Sequence, residues 1–220
     1  MIDDRRNSSV PALGHAALTA LYDPVVALTT RERIVKRAMI RQARIGDCHR
    51  VLDLGSGTGT MALWIKLRIP GADVTGHDAD PAVLSRARAK AAKASVSIRF
   101  DEGFSYELPY PDKSFDRVVS SLFFHHLSRA NKRKTIREAY RVLRPGGELH
   151  VADWGKPQNA LMRGLFYAIQ LLDGFSNTAD NVAGLLPQLL LDASFQEVAQ
   201  AQEFATLFGT MTLYRATRSP

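Results

Sequence analysis

One cysteine, Cys48, in 220 residues leaves no partner for an internal disulfide and no thiolate set for a cysteine-based zinc site. A chain without such staples fits a reducing compartment. Long apolar runs are missing too. The longest, Leu161–Leu172, is interrupted by Arg163, Gly164 and Gln170, and falls short of the roughly 20 residues a bilayer span needs. The start, Met1-Ile-Asp-Asp-Arg-Arg, has no apolar segment of the secretory kind behind it. These absences predict a cytoplasmic protein without a transmembrane segment. There is no repeat and no low-complexity linker. Hydrophobic residues at 45% and charged residues at 23% exclude a disordered, collagen-like or coiled-coil chain. A chain of this length buries roughly 70% of its unfolded surface without covalent help.

What is present alternates. Arg50-Val-Leu-Asp-Leu54 reads as a short buried strand that runs into Gly55-Ser-Gly-Thr-Gly59, and Thr60–Ile69 is helical up to Pro70-Gly71. Asp73–Asp78 is a second strand. Asp80-Pro81 is an N-cap with proline at the first helical position, opening a helix over 82–93. Strands follow at 96–102, 115–123 and 148–153, with a helix over 130–143. Strand–helix alternation with nearly continuous apolar strands means a doubly wound α/β domain with a parallel sheet covered on both faces. A helix before the first strand is expected over 31–45, with Ile34, Ala38 and Ile45 at helical spacing and Gly46 as its stop. The tail reads as helices over 159–173 and 180–191, then an antiparallel hairpin at the sheet edge from runs 196–204 and 206–217.

The chemistry concentrates at Val51-Leu-Asp-Leu-Gly-Ser-Gly-Thr-Gly59. A glycine turn leaving a parallel strand lets backbone N–H groups approach a ligand, and the following helix adds a positive dipole. Asp78, at the end of the second strand, is where a carboxylate takes the two hydroxyls of a ribose. A nicotinamide-dependent oxidoreductase is one reading of such a turn, but its pattern wants a glycine where this chain has Thr60. A non-catalytic nucleotide-binding protein is another.

The sequence resembles the class I S-adenosylmethionine-dependent methyltransferases, in the group related to the ubiquinone/menaquinone C-methyltransferases. The resemblance runs from about residue 20 to the C-terminus. It is carried by Asp53–Gly59, Gly76-His-Asp78, Leu108-Pro-Tyr-Pro-Asp-Lys-Ser-Phe-Asp116, Ser120-Ser-Leu-Phe-Phe-His-His-Leu127 and Arg141-Val-Leu-Arg-Pro-Gly-Gly147. It implies a Rossmann-like doubly wound sheet of seven strands, mostly parallel with an antiparallel C-terminal strand. It also implies S-adenosyl-L-methionine as cofactor. Asp53 and the backbone of Gly55, Ser56 and Gly57 would face its methionine portion, Asp78 its ribose and Ala79 its adenine. Tyr22, in Leu21-Tyr-Asp-Pro24, matches a tyrosine that closes over the methionine end. The family often has Gly-Asp-Ala after the third strand. Here Gly103-Phe104-Ser105 stands there, so Phe104 stacks on the adenine where relatives accept its amino hydrogen.

Residues after strands four and five, Ser121 to His126 and Asp153-Trp154, lie at the ligand-binding edge, Ser121 as a cofactor contact and the rest toward the acceptor. His125 or His126 is a candidate general base, because imidazole titrates near neutral pH. Asp153 orients a polar group or satisfies loop N–H groups. The expected organisation is an N-terminal helical cover (1–46), a methyltransferase domain (47–220) and a helical lid inserted at about 157–192. The expected acceptor is a small apolar or aromatic molecule, with Phe166 and Tyr167 favouring a flat one. The formal charge of +7 comes largely from two basic helix stretches, Arg31–Arg44 and Arg129–Arg144. Without interleaved aromatics these read as solvated faces, not as a nucleic-acid surface.

Overall fold

The computed structural model describes residues 31–207 and 209–220; Tyr22 and most of the expected N-terminal cover lie outside them. The chain runs α1 (Glu32–Ala43), β1 (Arg50–Leu54), α2 (Thr60–Arg68), β2 (Asp73–Asp78), α3 (Pro81–Lys93), β3 (Arg99–Glu102) and β4 (Phe115–Ser121). A 3₁₀ turn (Phe124–His126) leads to α4 (Arg129–Val142) and β5 (Leu143–Trp154), then α5 (Ala160–Asp173), α6 (Phe175–Val182) and α7 (Leu186–Asp192). β6 (Phe195–Ala205) and β7 (Thr210–Arg218) close the chain. The seven strands form one sheet in the order β3-β2-β1-β4-β5-β7-β6. β1 to β5 pair in parallel, and β7 runs antiparallel to both β5 and β6.

Alternation along the strands builds two cores. Val51, Val119, Ala152 and Leu213 face α1, α2 and α3. Leu52, Val118, Val151 and Tyr214 face α4 and α7. Both layers must be helical because neither face has enough polar residues to meet water. α1 lies along the sheet with its first residue at the carboxyl edge, where Arg31 Nη1 donates to Ala205 O at 3.3 Å. At its other end Ala43 O accepts from Arg117 Nε at 2.8 Å. Local signals behave as their chemistry requires. Asp80 Oδ1 accepts from Ala82 N at 2.8 Å to cap α3, and Asn159 Oδ1 from Met162 N at 2.8 Å to cap α5.

Five expectations need correction. α1 does not bury Ile34, which is half exposed; its inner stripe is Val35, Lys36, Met39, Ile40 and Ala43. α1 also ends at Ala43, with Arg44 in the left-handed region, and does not reach Gly46. The helix expected over 180–191 is two helices, because Gly184 takes a φ of +69° that turns the chain between α6 and α7. Finally, β3 is shorter than 96–102, and β5 starts five residues early, with a register irregularity against β4 between Phe115 and Arg117.

Candidate functional site

The strand order reverses between β1 and β4, so a cleft opens at the carboxyl edge of that pair, where doubly wound sheets hold their ligands. The glycine turn fills its near side. The amides of Gly55 and Ser56 donate to His77 O at 2.9 and 3.0 Å, pinning the turn to the end of β2. Gly55 holds a φ of +69°, and a Cβ there would sit 2.2 Å from the Phe123 ring. Gly57 holds a φ of +51°, and a Cβ there would meet none of the described residues within 4 Å. The turn is thus packed against protein at its first glycine and open at its second. Ser56 turns its hydroxyl inward beside Gly76, where the oxygen is buried without a hydrogen-bond partner.

Asp78 ties three segments together. Its Oδ2 accepts from Gly57 N at 2.8 Å, its Oδ1 from Asp80 N at 3.0 Å, and its backbone oxygen from Gly103 N at 3.0 Å. Burial raises its pKa, against the two amides that lower it. Ala79 is exposed beside it, and Phe104 projects at the rim, stacked on Tyr106 with ring centroids 5.1 Å apart. Asp53 lies beneath the turn at 1% exposure, accepting from Ala62 N at 3.0 Å. Burial pushes its pKa up to about 7, opposed by the charge of Lys36. Lys36 itself reaches in from α1, buried and paired with Glu32.

The far side is built by β4 and β5. Ser121 stands opposite Ala152 in the ladder and is half-buried. Leu122 follows with a φ of 55°, an unfavourable conformation for a leucine, held by its amide bonding Ala152 O at 2.8 Å. His125 and Asp153 form a buried pair, Nδ1 to Oδ1 at 2.7 Å. The same carboxylate accepts from the amides of Trp154 at 2.7 Å and His125 at 3.3 Å. Burial alone would raise the Asp153 pKa; the His125 imidazole and these amides hold it below the usual range. His126 packs its ring 4.0 Å from that of His125, and burial with this neighbour pushes its pKa down to about 3. His77 sits fully buried beneath Gly103 and is linked to Tyr110.

Asp53, Gly55, Ser56, Gly57, Asp78, Ala79, Gly103 and Phe104 therefore gather at the edge of β1, β2 and β3. Ser121, His125, His126 and Asp153 gather at the edge of β4 and β5, and Phe123 packed on Gly55 joins the two groups. Three features escape the sequence reading: Leu122, the Glu32–Lys36 pair, and a buried Lys132. Lys132 Nζ donates to Asn177 O and lies 3.5 Å from Asp180, whose carboxylate also binds Arg129. Both lysines belong to stretches read as solvated, yet each falls on a buried stripe, Lys36 four residues before Ile40 and Lys132 four before Ile136.

Residues 51–147 match the methyltransferase domain family. A demethylmenaquinone methyltransferase of Deinococcus radiodurans is 34% identical over 186 residues, covering 82% of this chain and 76% of that protein. A ubiquinone/menaquinone biosynthesis C-methyltransferase of Pasteurella multocida is 28% identical over 187 residues, covering 76% and 69%. Among solved structures, a SAM-dependent methyltransferase from Aquifex aeolicus superposes with a TM-score of 0.63 at 19% identity, over 92% of this chain and 97% of that one. Its likeness extends the agreement in fold beyond the matched domain. With the glycine turn, the in-register Asp78 and this sheet order, the chain belongs to the class I S-adenosylmethionine-dependent methyltransferases, in the group related to the ubiquinone/menaquinone C-methyltransferases.

Proposed function

We propose that this enzyme methylates a ring carbon of a small, apolar, hydroxylated aromatic acceptor of the demethylmenaquinone kind, with His125 as general base. The observation that carries the reading is the His125–Asp153 pair beside the glycine turn. The residues present fit S-adenosyl-L-methionine. Gly57 leaves an open cradle, Asp78 has lone pairs beyond the two its amides use, and the buried carboxyl of Asp53 suits a cationic group. When bound, the sulfonium supplies an electrophilic methyl group.

The chain's own contribution is alignment, exclusion of water and proton removal. With Nδ1–H donated to Asp153, the basic nitrogen of His125 is Nε2. His125 takes the hydroxyl proton of the acceptor, which raises electron density at the neighbouring ring carbon. With the methyl group delivered at that carbon, the displaced ring proton is lost and the oxygen recovers its proton from His125, so the net release is one proton per transfer. A quinone ring lacks this nucleophilicity, so the reduced quinol is the competent form. Asp153 positions His125, and His126 stays neutral as its packing neighbour. The helical segment α5–α7 covers this side as a lid. Asn181 Nδ2 donating to Trp154 O at 3.0 Å supports the lid assignment.

The test is S-adenosylhomocysteine release with reduced demethylmenaquinone against polar phenols and nicotinamide substrates. Release specific to the apolar quinol is expected. Cofactor binding without release for any apolar phenol would sink the reading.

A further inference from the structure

α5 carries apolar residues on all sides, which in a surface helix leaves one side without protein to cover it. Its inner side is accounted for: Phe166 is buried against Trp154 at 5.3 Å between centroids, and Gln170 bonds Thr178 at 3.0 Å. Its outer side is a ridge at i, i+4, i+8. Arg163 lies 4.2 Å over the Tyr167 ring, and Leu171 follows at 75% exposure. Phe175, at the start of α6, meets Tyr167 at 6.2 Å and is itself half exposed. The β6–β7 turn adds Leu207, 62% exposed, and Thr210 at the end of that turn contacts Met162 of α5 at 3.8 Å. Contiguous exposed apolar surface of this kind marks an interaction site.

Charge selects the occupant. From Trp154 to Leu172 there is no acidic residue, while Lys156 and Arg163 are basic. Arg31 stands at the same edge, bonded to Ala205 beside the turn. Two carboxylates near this edge are engaged, Asp180 by Arg129 and Lys132, and Glu203 by Gln158 at 2.9 Å; Asp173 closes α5. A second copy of the same face would bring three bases from each chain together, with Asp173 the one acid of the α5 segment to offset them. A surface of anionic headgroups over acyl chains satisfies both the bases and the ridge.

We propose that this face docks the protein onto an anionic phospholipid bilayer, with Tyr167, Leu171, Phe175 and Leu207 in the interface and Arg163 among the headgroups. Docking there sets the carboxyl edge of the sheet, and with it the acceptor side, against the membrane. The proposal goes beyond the methyl-transfer reading and stands without it: a chain that binds vesicles but methylates no quinol keeps the dock and loses the function, and the converse holds.

Flotation of the full chain with vesicles of phosphatidylglycerol and phosphatidylcholine, against phosphatidylcholine alone, tests it. Binding is expected to the mixed vesicles, weakening as salt rises. Arg163→Glu should weaken it about fivefold or more, one surface charge being worth about a factor of five. Leu171→Glu should weaken it roughly tenfold by removing a buried aliphatic anchor. S-adenosyl-L-methionine binding by both variants checks that they are folded. Absence of flotation, equal flotation with both compositions, or flotation indifferent to both substitutions would overturn the proposal. So would a dimer in light scattering that Leu171→Glu dissociates.

Discussion

At the residue scale, two buried carboxylates at one site have been driven in opposite directions. Asp53 is pushed up to about 7 by burial, while Asp153 is held low by His125. The folded value of Asp53 lies above its unfolded one, so the folded state keeps that proton longer. Stability is present at low pH and is lost as pH rises from about 4 through 7. Asp53→Asn, which can still accept from Ala62, should therefore stabilise the ligand-free protein at pH 8 by about 2 kcal/mol in urea unfolding, while weakening S-adenosyl-L-methionine binding at least tenfold. His125 and His126 separate by pH profile. His126 is already neutral above about pH 4, so His126→Gln should leave the acidic limb of kcat/KM in place. His125→Gln should abolish that limb and cost about 10²- to 10⁴-fold in rate. The sequence named both histidines and Asp153, since the residue types and their positions after β4 and β5 suffice for that. The division of labour between the histidines was not legible, because it depends on which ring reaches Asp153. Leu122 was likewise hidden, since nothing in its identity announces a left-handed conformation.

At the element scale, α6 is fastened to α4 by charge. Lys132 on α4 is 1% exposed and meets Asn177 and Asp180 on α6, and Arg129 grips the same Asp180. Removing one partner of a buried pair costs more than replacing both. Lys132→Met should destabilise the protein by about 1–3 kcal/mol and speed amide exchange within 175–182. The double variant Lys132→Met, Asp180→Leu should recover most of that stability. Equal loss in the single and double variants would remove the latch. Periodicity located α4 and α5 to within a residue at each end, because their apolar residues recur at helical spacing. The break at Gly184 was missed: Val182-Ala183 before it and Leu185-Leu186 after it keep the segment apolar, and a lone glycine is tolerated within helices. Both buried lysines were misread for a related reason, since a basic side chain on an inner stripe needs a partner that only tertiary structure supplies.

At the scale of the whole molecule, three histidines resist protonation in the folded state. His77 and His150 lie below their ordinary value by burial, and His126 at about 3. The unfolded chain binds these protons near 6.5 and the folded chain does not, so stability falls as pH drops below that value. Asp53 and Asp78 act in the opposite sense, while Glu148 and Asp153, held below their usual range, add to the histidines as pH falls. Thermal unfolding should therefore move down by several degrees between pH 7 and pH 5, as calorimetry can follow; an unchanged or rising midpoint would refute this balance. The doubly wound sheet and its terminal hairpin were legible because buried parallel strands, glycine turns and capped helices each leave a local signature. The order β5-β7-β6 at the edge, with α1 integrated into one core layer, is a product of packing across distant parts of the chain.

The central claim is carbon methylation with His125 as base. Its most direct measurement is transfer from S-adenosyl-L-methionine carrying a trideuterated methyl group to reduced demethylmenaquinone, with the product resolved by mass spectrometry and NMR. The native chain should place the labelled methyl on a ring carbon. His125→Gln should lose nearly all of that product, with cofactor affinity retained. Label on an oxygen, or on the same carbon at an undiminished rate in His125→Gln, would contradict it.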